Sequence, residues 1–207
     1  IIISALGQLG VDTTSAAALL GGAALAIGLA LQNQLSSFAA GAMLILFRPF
    51  AKGNVVDIGG QLGIVEEIKI TSTILKTFDN QLVWLPNASV WGNKITNYSA
   101  LPTRRVDLAI GIGYGSDLKK AKDLLVDMLK EEPRILDDPA PSVVVSNLGD
   151  SSVDFAVRGW AASADWWGTR CDLIERIKLT FDENDIEIPF PQRTVYLRGE
   201  ASATEEK

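Results

Sequence analysis

The apolar positions of this chain fall into three successive patterns. From Thr13 to Phe47 there is no charged residue, and Ala, Gly, Leu and Ile dominate (AAALLGGAALAIGLAL at 16–31, LSSFAAGAMLILF at 35–47). As helix, this run is about 52 Å long against a hydrocarbon core of roughly 30 Å, so one straight span is not expected. Gln32-Asn33-Gln34 offers a break. The pattern predicts a membrane crossing over 13–31 and a shorter helix over 35–47, lying at the interface or packed beneath the first. Ile1 to Leu9 (IIISALGQL) reads as the tail of an earlier apolar helix. Arg48-Pro49 then closes the run.

Residues 53–98 carry the second pattern. GIVEEIKI, TSTILKTF and QLVWLP are rich in β-branched and apolar residues, with turn signals at Gly59-Gly60 and Asp79-Asn80. A barrel or sandwich of about five strands is predicted. The third pattern starts at 101. RVDLAIGIG alternates, with Val106, Leu108, Ile110 and Ile112 on one face. Ser116 or Asp117 can cap a helix whose apolar face is Leu118, Ala121, Leu124, Leu125, Met128 and Leu129. PSVVVSNLG and SSVDFAVRGWA predict a hairpin. Asp165 can cap a second helix with an apolar face of Trp167, Cys171, Ile174, Ile177 and Phe181, and RTVYLR predicts a closing strand. The order βαββαβ is the split, ferredoxin-like arrangement. A polar tail at 199–207 is expected to be disordered.

Composition narrows the function. The 207 residues include one Cys and no His, with net charge -6. The commonest general base and metal ligand is missing, and a disulfide framework is excluded. An acidic chain argues against nucleic acid as a partner. Asp12 is the only charge before Arg48, so the two parts of the chain suit different solvents. Arg48 and Lys52 beside the apolar run favour cytoplasmic placement of the soluble residues C-terminal to it.

Within that run, Ala18, Gly22 and Ala26 recur every four residues, and Gly21, Ala24 and Gly28 form a second small stripe beside them. Small residues at this spacing let helix backbones approach closely in lipid. Two stripes on one helix imply a neighbour on each side, the geometry of a ring of identical helices. Leu25 and Leu29 interrupt the small residues one turn apart on one face. They face either lipid or the axis of such a ring, where apolar collars close a pore by dewetting. Gln32 and Asn33 suit a pore mouth or a helix end at the membrane surface. Gly41 is a candidate kink or close-packing contact.

Other features give weaker chemistry. Gly111, Gly113 and Gly115 are spaced G-x-G-x-G, which is not the dinucleotide fingerprint. DENDIE at 182–187 lacks the spacing of a calcium loop. Glu66 and Glu67 fit a solvated strand face, Cys171 a buried small hydrophobe, and Trp166 and Trp167 core and interface anchors.

Taken together, LGGAALAIGLALQNQLSSFAAGAMLILFRPF, VVDIGG, LPNASV, GNKITNYS, the Arg104-Arg105 strand, RILDDPAP, LIERIK and IPFPQ occur in the order found in small-conductance mechanosensitive (MscS-like) channels, which the chain resembles over about 195 residues. The resemblance implies a membrane α-helical pore segment, then a small all-β (Sm-like) domain, then an α+β ferredoxin-like domain forming a vestibule. The parts would be 1–9, the end of a preceding membrane helix; 10–50, a kinked pore helix; 51–100, the β domain; 101–191, the α/β domain; and 192–207, a C-terminal strand and tail. It implies a homoheptamer in the inner membrane, multi-pass, with cytoplasmic soluble domains. Its partners would be lipids and permeating ions, without a cofactor, metal or enzymatic activity. The family's sealing leucines fall on Leu25 and Leu29, and its packing stripes on Gly21, Ala24 and Gly28 against Ala18, Gly22 and Ala26. The sequence departs at Asn33, where the family pattern bends at Gly, and Gly41 matches a second family glycine. Tension-sensing outer helices would lie outside this chain. A ligand-regulated channel of the same architecture and a membrane-tethered oligomeric scaffold are the alternatives. An anchored enzyme would need a convergent polar site that the sequence does not offer.

Overall fold

The computed structural model describes residues 14–196. The expected helix end at 1–9 and the polar tail lie outside them. The chain divides into two compact units, 1–100 and 101–207.

The first unit opens with α1 (Thr14–Phe47), a single helix of 34 residues. The break expected at Gln32-Asn33-Gln34 is absent, and the two predicted helices are one element. Gln is a good helix former and Asn a mediocre one, and neither removes a backbone donor as Pro would. At the far end Arg48 takes a left-handed conformation (φ 47°) and its backbone N–H donates to the Leu44 carbonyl at 3.0 Å, closing the helix before Pro49.

Five strands follow: β1 (Val55–Ile58), β2 (Gln61–Ile68), β3 (Ser72–Lys76), β4 (Leu82–Pro86) and β5 (Ile95–Asn97), with the short helix α2 (Asn87–Gly92) between the last two. They form one antiparallel sheet ordered β4-β3-β2-β1-β5. Gly59 and Gly60 both have positive φ and make the two-residue β1–β2 turn, where Gly60 N–H donates to Asp57 Oδ1 at 2.8 Å. The core of this unit is Leu44, Phe50, Val56, Ile58, Val65, Leu75 and Val90. A residue of α1 thus belongs to the core of the β domain.

The second unit contains β6 (Thr103–Ile112), α3 (Leu118–Glu131), β7 (Ile135–Leu136), β8 (Ser142–Leu148), β9 (Val153–Ala162) and α4 (Trp166–Glu183). β9 is central, pairing antiparallel with β6 on one side and with β7 and β8 on the other. Alternate residues Val106, Leu108 and Ile112 of β6 and Val153, Phe155 and Val157 of β9 turn inward to meet Ala121, Leu125, Met128 and Leu129 of α3 and Leu173, Ile177 and Phe181 of α4. Asp117 caps α3, accepting from the N–H groups of Lys119 and Lys120, whereas Ser116 Oγ accepts from Glu187 N–H.

Four expectations need correction here. The buried side of α4 is Thr169, Leu173, Ile177 and Phe181. Cys171 and Trp167 are exposed instead, and Ile174 is 39% exposed. Trp166 does pack on the core, and its indole N–H donates to the Arg105 carbonyl at 3.0 Å. Leu118 is exposed at the start of α3. Asp165 holds the N-cap position of α4 without a side-chain bond. Of the expected closing strand, residues 193–196 pair with no strand and 197–198 lie outside the described residues. Pro189 and Pro191, which lack N–H donors, precede it.

Candidate pore helix

Helix α1 is predominantly apolar and carries no titratable side chain. It is long and apolar enough to cross a membrane, and none of its most apolar 18-residue window is buried. A core helix of a soluble domain would hide such a surface, so the surface of α1 suits lipid or other helices.

Burial divides the helix. Residues 14–36 are exposed throughout, whereas Ser37, Ala40, Gly41 and Leu44 are buried against the β domain. The upper part carries the predicted gate and stripes. Leu25 (66% exposed) and Leu29 (63% exposed) stand on one face. Gly28, Gln32, Leu35 and Ser36 share that face. Gln32 therefore continues the face of the two leucines. A Cβ added at Gly21, Gly22 or Gly28 would meet nothing within 4 Å. These glycines are not required by contacts among the described residues. Ala18, Ala24, Ala26 and Asn33 are likewise exposed.

The lower part is fastened at several places. Gly41 lies against the β2–β3 turn, where a Cβ would collide with the carbonyl oxygen of Ile70 and sit 2.5 Å from Asn87 Nδ2. Of the two roles open to Gly41, the structure places it in a close-packing contact. Asn87 is fully buried. Its amide donates to the Lys69 carbonyl at 2.9 Å and its Oδ1 accepts from Thr73 Oγ1 at 2.8 Å. Phe50 is 3% exposed, in the β-domain core. Asn97 Nδ2 donates to the Pro49 carbonyl at 3.0 Å. Phe47 and Trp91 stack with centroids 6.0 Å apart. Sequence reasoning did not single out Thr73, Asn87 or Asn97. Their importance lies in contacts across long sequence separations, and the one local signal was Asn following Pro86.

Among the described residues no group of three or more His, Cys, Asp or Glu is placed to hold a metal ion.

Comparison with known proteins agrees with this architecture. The family model described as "Mechanosensitive ion channel, beta-domain" matches residues 33–100, and "Mechanosensitive ion channel MscS, C-terminal" matches 106–188. An uncharacterized MscS family protein of Synechocystis is 45% identical over 93% of this chain and 65% of its own length. The small-conductance mechanosensitive channel of Edwardsiella ictaluri is 46% identical over 84% of this chain and 61% of its own. The chain thus spans less than two thirds of either relative. The crystal structure of Helicobacter pylori MscS in its closed state is similar with a TM-score of 0.89 and 37% identity, covering 96% of this chain and 79% of that one. The small-conductance mechanosensitive channel of the same organism is 37% identical over 97% of this chain and 74% of its own length. With both soluble domains matched and this identity extending through α1, the chain belongs to the MscS family of mechanosensitive ion channels.

Proposed function

We propose that this chain is the pore-forming part of a homoheptameric channel that opens under membrane tension and releases ions and small solutes on hypo-osmotic shock. It would sit in the inner membrane as part of a multi-pass protein, with residues 51–191 in the cytoplasm. The observation that carries this reading is the upper half of α1: charge-free, wholly exposed, lined with small residues on two sides and bearing Leu25 and Leu29 on one face. Such a surface suits a ring, with Gly21, Ala24 and Gly28 of one copy against Ala18, Gly22 and Ala26 of the next.

In the closed ring, Leu25 and Leu29 form two collars too narrow and apolar to hold water. Gln32 and Asn33 line the polar mouth below. Tension favours the arrangement of larger membrane area, so the upper helices slide along their small stripes and the collars part. Moving from 1% to 99% open requires about 5.5 kcal/mol of differential stabilisation. Lipids supply that work and the permeating ions need no cofactor.

The test is the full-length protein in liposomes, recorded in excised patches under graded suction. Stepwise currents at a reproducible tension support the proposal. Silence up to lytic tension, with the oligomer verified in the membrane, overturns it in favour of a ligand-regulated channel or a scaffold.

A further inference from the structure

We propose that residues 184–192, which follow α4, form a latch: a strap closed over the end of β6 that opens as a unit without unfolding the α/β core, and so sets how far the chain beyond Gln192 reaches from its domain. The latch does not depend on how the pore opens.

The sequence marks its seat with Gly111-x-Gly113-x-Gly115, whose spacing is not that of a dinucleotide site. Two of these glycines are notches. A Cβ on Gly111 would lie 3.0 Å from Ser152 Cβ and 3.1 Å from Asp154 Oδ1. A Cβ on Gly113 would lie 3.2 Å from Glu187 Oε2 and 3.6 Å from Glu187 Cβ. The first notch seats the β8–β9 hairpin and the second seats the strap.

The two seats are joined. The Tyr114 hydroxyl donates to the Gly149 carbonyl at 2.7 Å. Within the hairpin turn, Gly149 N–H donates to the Ser152 carbonyl at 2.7 Å, and Ser152 Oγ donates to Asp154 Oδ1 at 2.6 Å. The strap crosses both seats. Gly113 N–H donates to the Glu187 carbonyl at 2.8 Å, and Glu187 N–H donates to Ser116 Oγ at 3.1 Å. Five residues on, Gln192 N–H donates to Ser151 Oγ at 3.0 Å.

Anchoring is uneven along the strap. Lys120 Nζ donates to the Asn184 carbonyl at 2.8 Å. Asp185 takes a left-handed conformation (φ 58°), which returns Ile186 N–H to the Phe181 carbonyl at 2.9 Å. The Ile186 side chain is buried in the core, so this residue is the fixed end. From Glu187 to Gln192 no side chain is buried, and Phe190 is 83% exposed. Pro189 and Pro191 have no N–H to bond. Hydrogen bonds rather than apolar burial therefore hold this stretch, the makeup of a segment that opens below the cost of global unfolding. Opened, its six residues span about 20 Å.

Hydrogen exchange resolved to single amides, on the full-length protein in nanodiscs, tests the latch. In the wild type the Glu187 and Gln192 amides should be protected, though less than those of β9. Ser116→Ala and Ser151→Ala each remove one acceptor and leave the Asp117 cap of α3 in place. Combined, they should speed exchange at Glu187 and Gln192 about tenfold, with β9 and α4 unchanged. Spin labels on Cys171 and on Phe190→Cys, with labelled copies diluted among unlabelled ones and any cysteine outside these residues replaced, should give a distance distribution that broadens in the double-serine variant. Unprotected Glu187 and Gln192 amides in the wild type would mean that nothing is latched. Equal acceleration in β9 would mean that the strap belongs to the core. A distribution as narrow in the variant as in the wild type would mean that the strap stays closed. Each of these three results overturns the proposal.

Discussion

At position 29 a serine would replace a branched hydrocarbon with a group that holds water. A collar closes by dewetting only while its lining is apolar, so Leu29→Ser should lower the tension at which patches open; an unchanged threshold would place the gate elsewhere. Gly28 makes a complementary case. Because a Cβ there meets nothing within 4 Å among the described residues, Gly28→Leu should fold as wild type does. Any effect then comes from packing against groups outside the described residues, which in the proposed ring include another copy. We expect a raised threshold, since a leucine obstructs sliding along the small stripe. Normal opening of that variant would remove the stripes from the mechanism. The pairing of Leu25 with Leu29 is legible in the sequence because it depends only on helical spacing. The role of Gly41 is not, since a glycine in a helix has the same local pattern whether it bends or is packed against, and only the Ile70 carbonyl distinguishes the two.

Between elements, an ionic network ties the end of α3 to α4. Arg134 Nε donates to Glu132 Oε1 at 2.6 Å and Arg134 pairs with Asp172 at 2.8 Å, while Arg176 of α4 pairs with Glu131. The hydrogen bond from Arg134 is the main reason that the Glu132 carboxyl titrates below its usual 4.5. A lowered folded pKa means that this contribution to stability is complete above pH 4.5 and is lost as pH falls through the lower folded value. Glu132→Gln should therefore lower the melting temperature at pH 7 and narrow the gap between melting at pH 7 and at pH 3; an undiminished gap would exclude Glu132 as a source of acid sensitivity. Phe181, fully buried between α4 and the sheet, should cost about 3–5 kcal/mol as Phe181→Ala in denaturant unfolding. Elements with a strong period were legible: the β strands around Gly59-Gly60, the alternation of β6, and α3 with its Asp117 cap. The phase of α4 is not legible, because Trp167, Cys171 and Ile174 form a plausible apolar stripe in sequence although all three are exposed. Thr169, which shares the buried face with Leu173 and Ile177, looks polar in sequence. Nor does Gln32-Asn33-Gln34 end α1, since two good helix formers around one mediocre one do not terminate a helix without a cap or a proline.

On the scale of the whole molecule, α1 joins two surfaces with different needs, a lower half already satisfied by the β domain and an upper half exposed on every side. An upper half with two small stripes is left for neighbouring helices to cover, and in the proposed ring some of those are copies of itself. Native mass measurement in detergent should give seven chains, and a monomer there would end the ring reading. The soluble units are mapped by their own cores, but the arrangement of copies is encoded in surfaces that one chain leaves empty. The exposed Cys171 bears on this directly. It is the one thiol in these 207 residues, and it lies on the outward side of α4, away from the buried Leu173 and Ile177. A maleimide dye placed there, with any cysteine outside these residues replaced, reports once per copy, so the number of bleaching steps from a single fluorescent spot counts the chains in the membrane without extracting them.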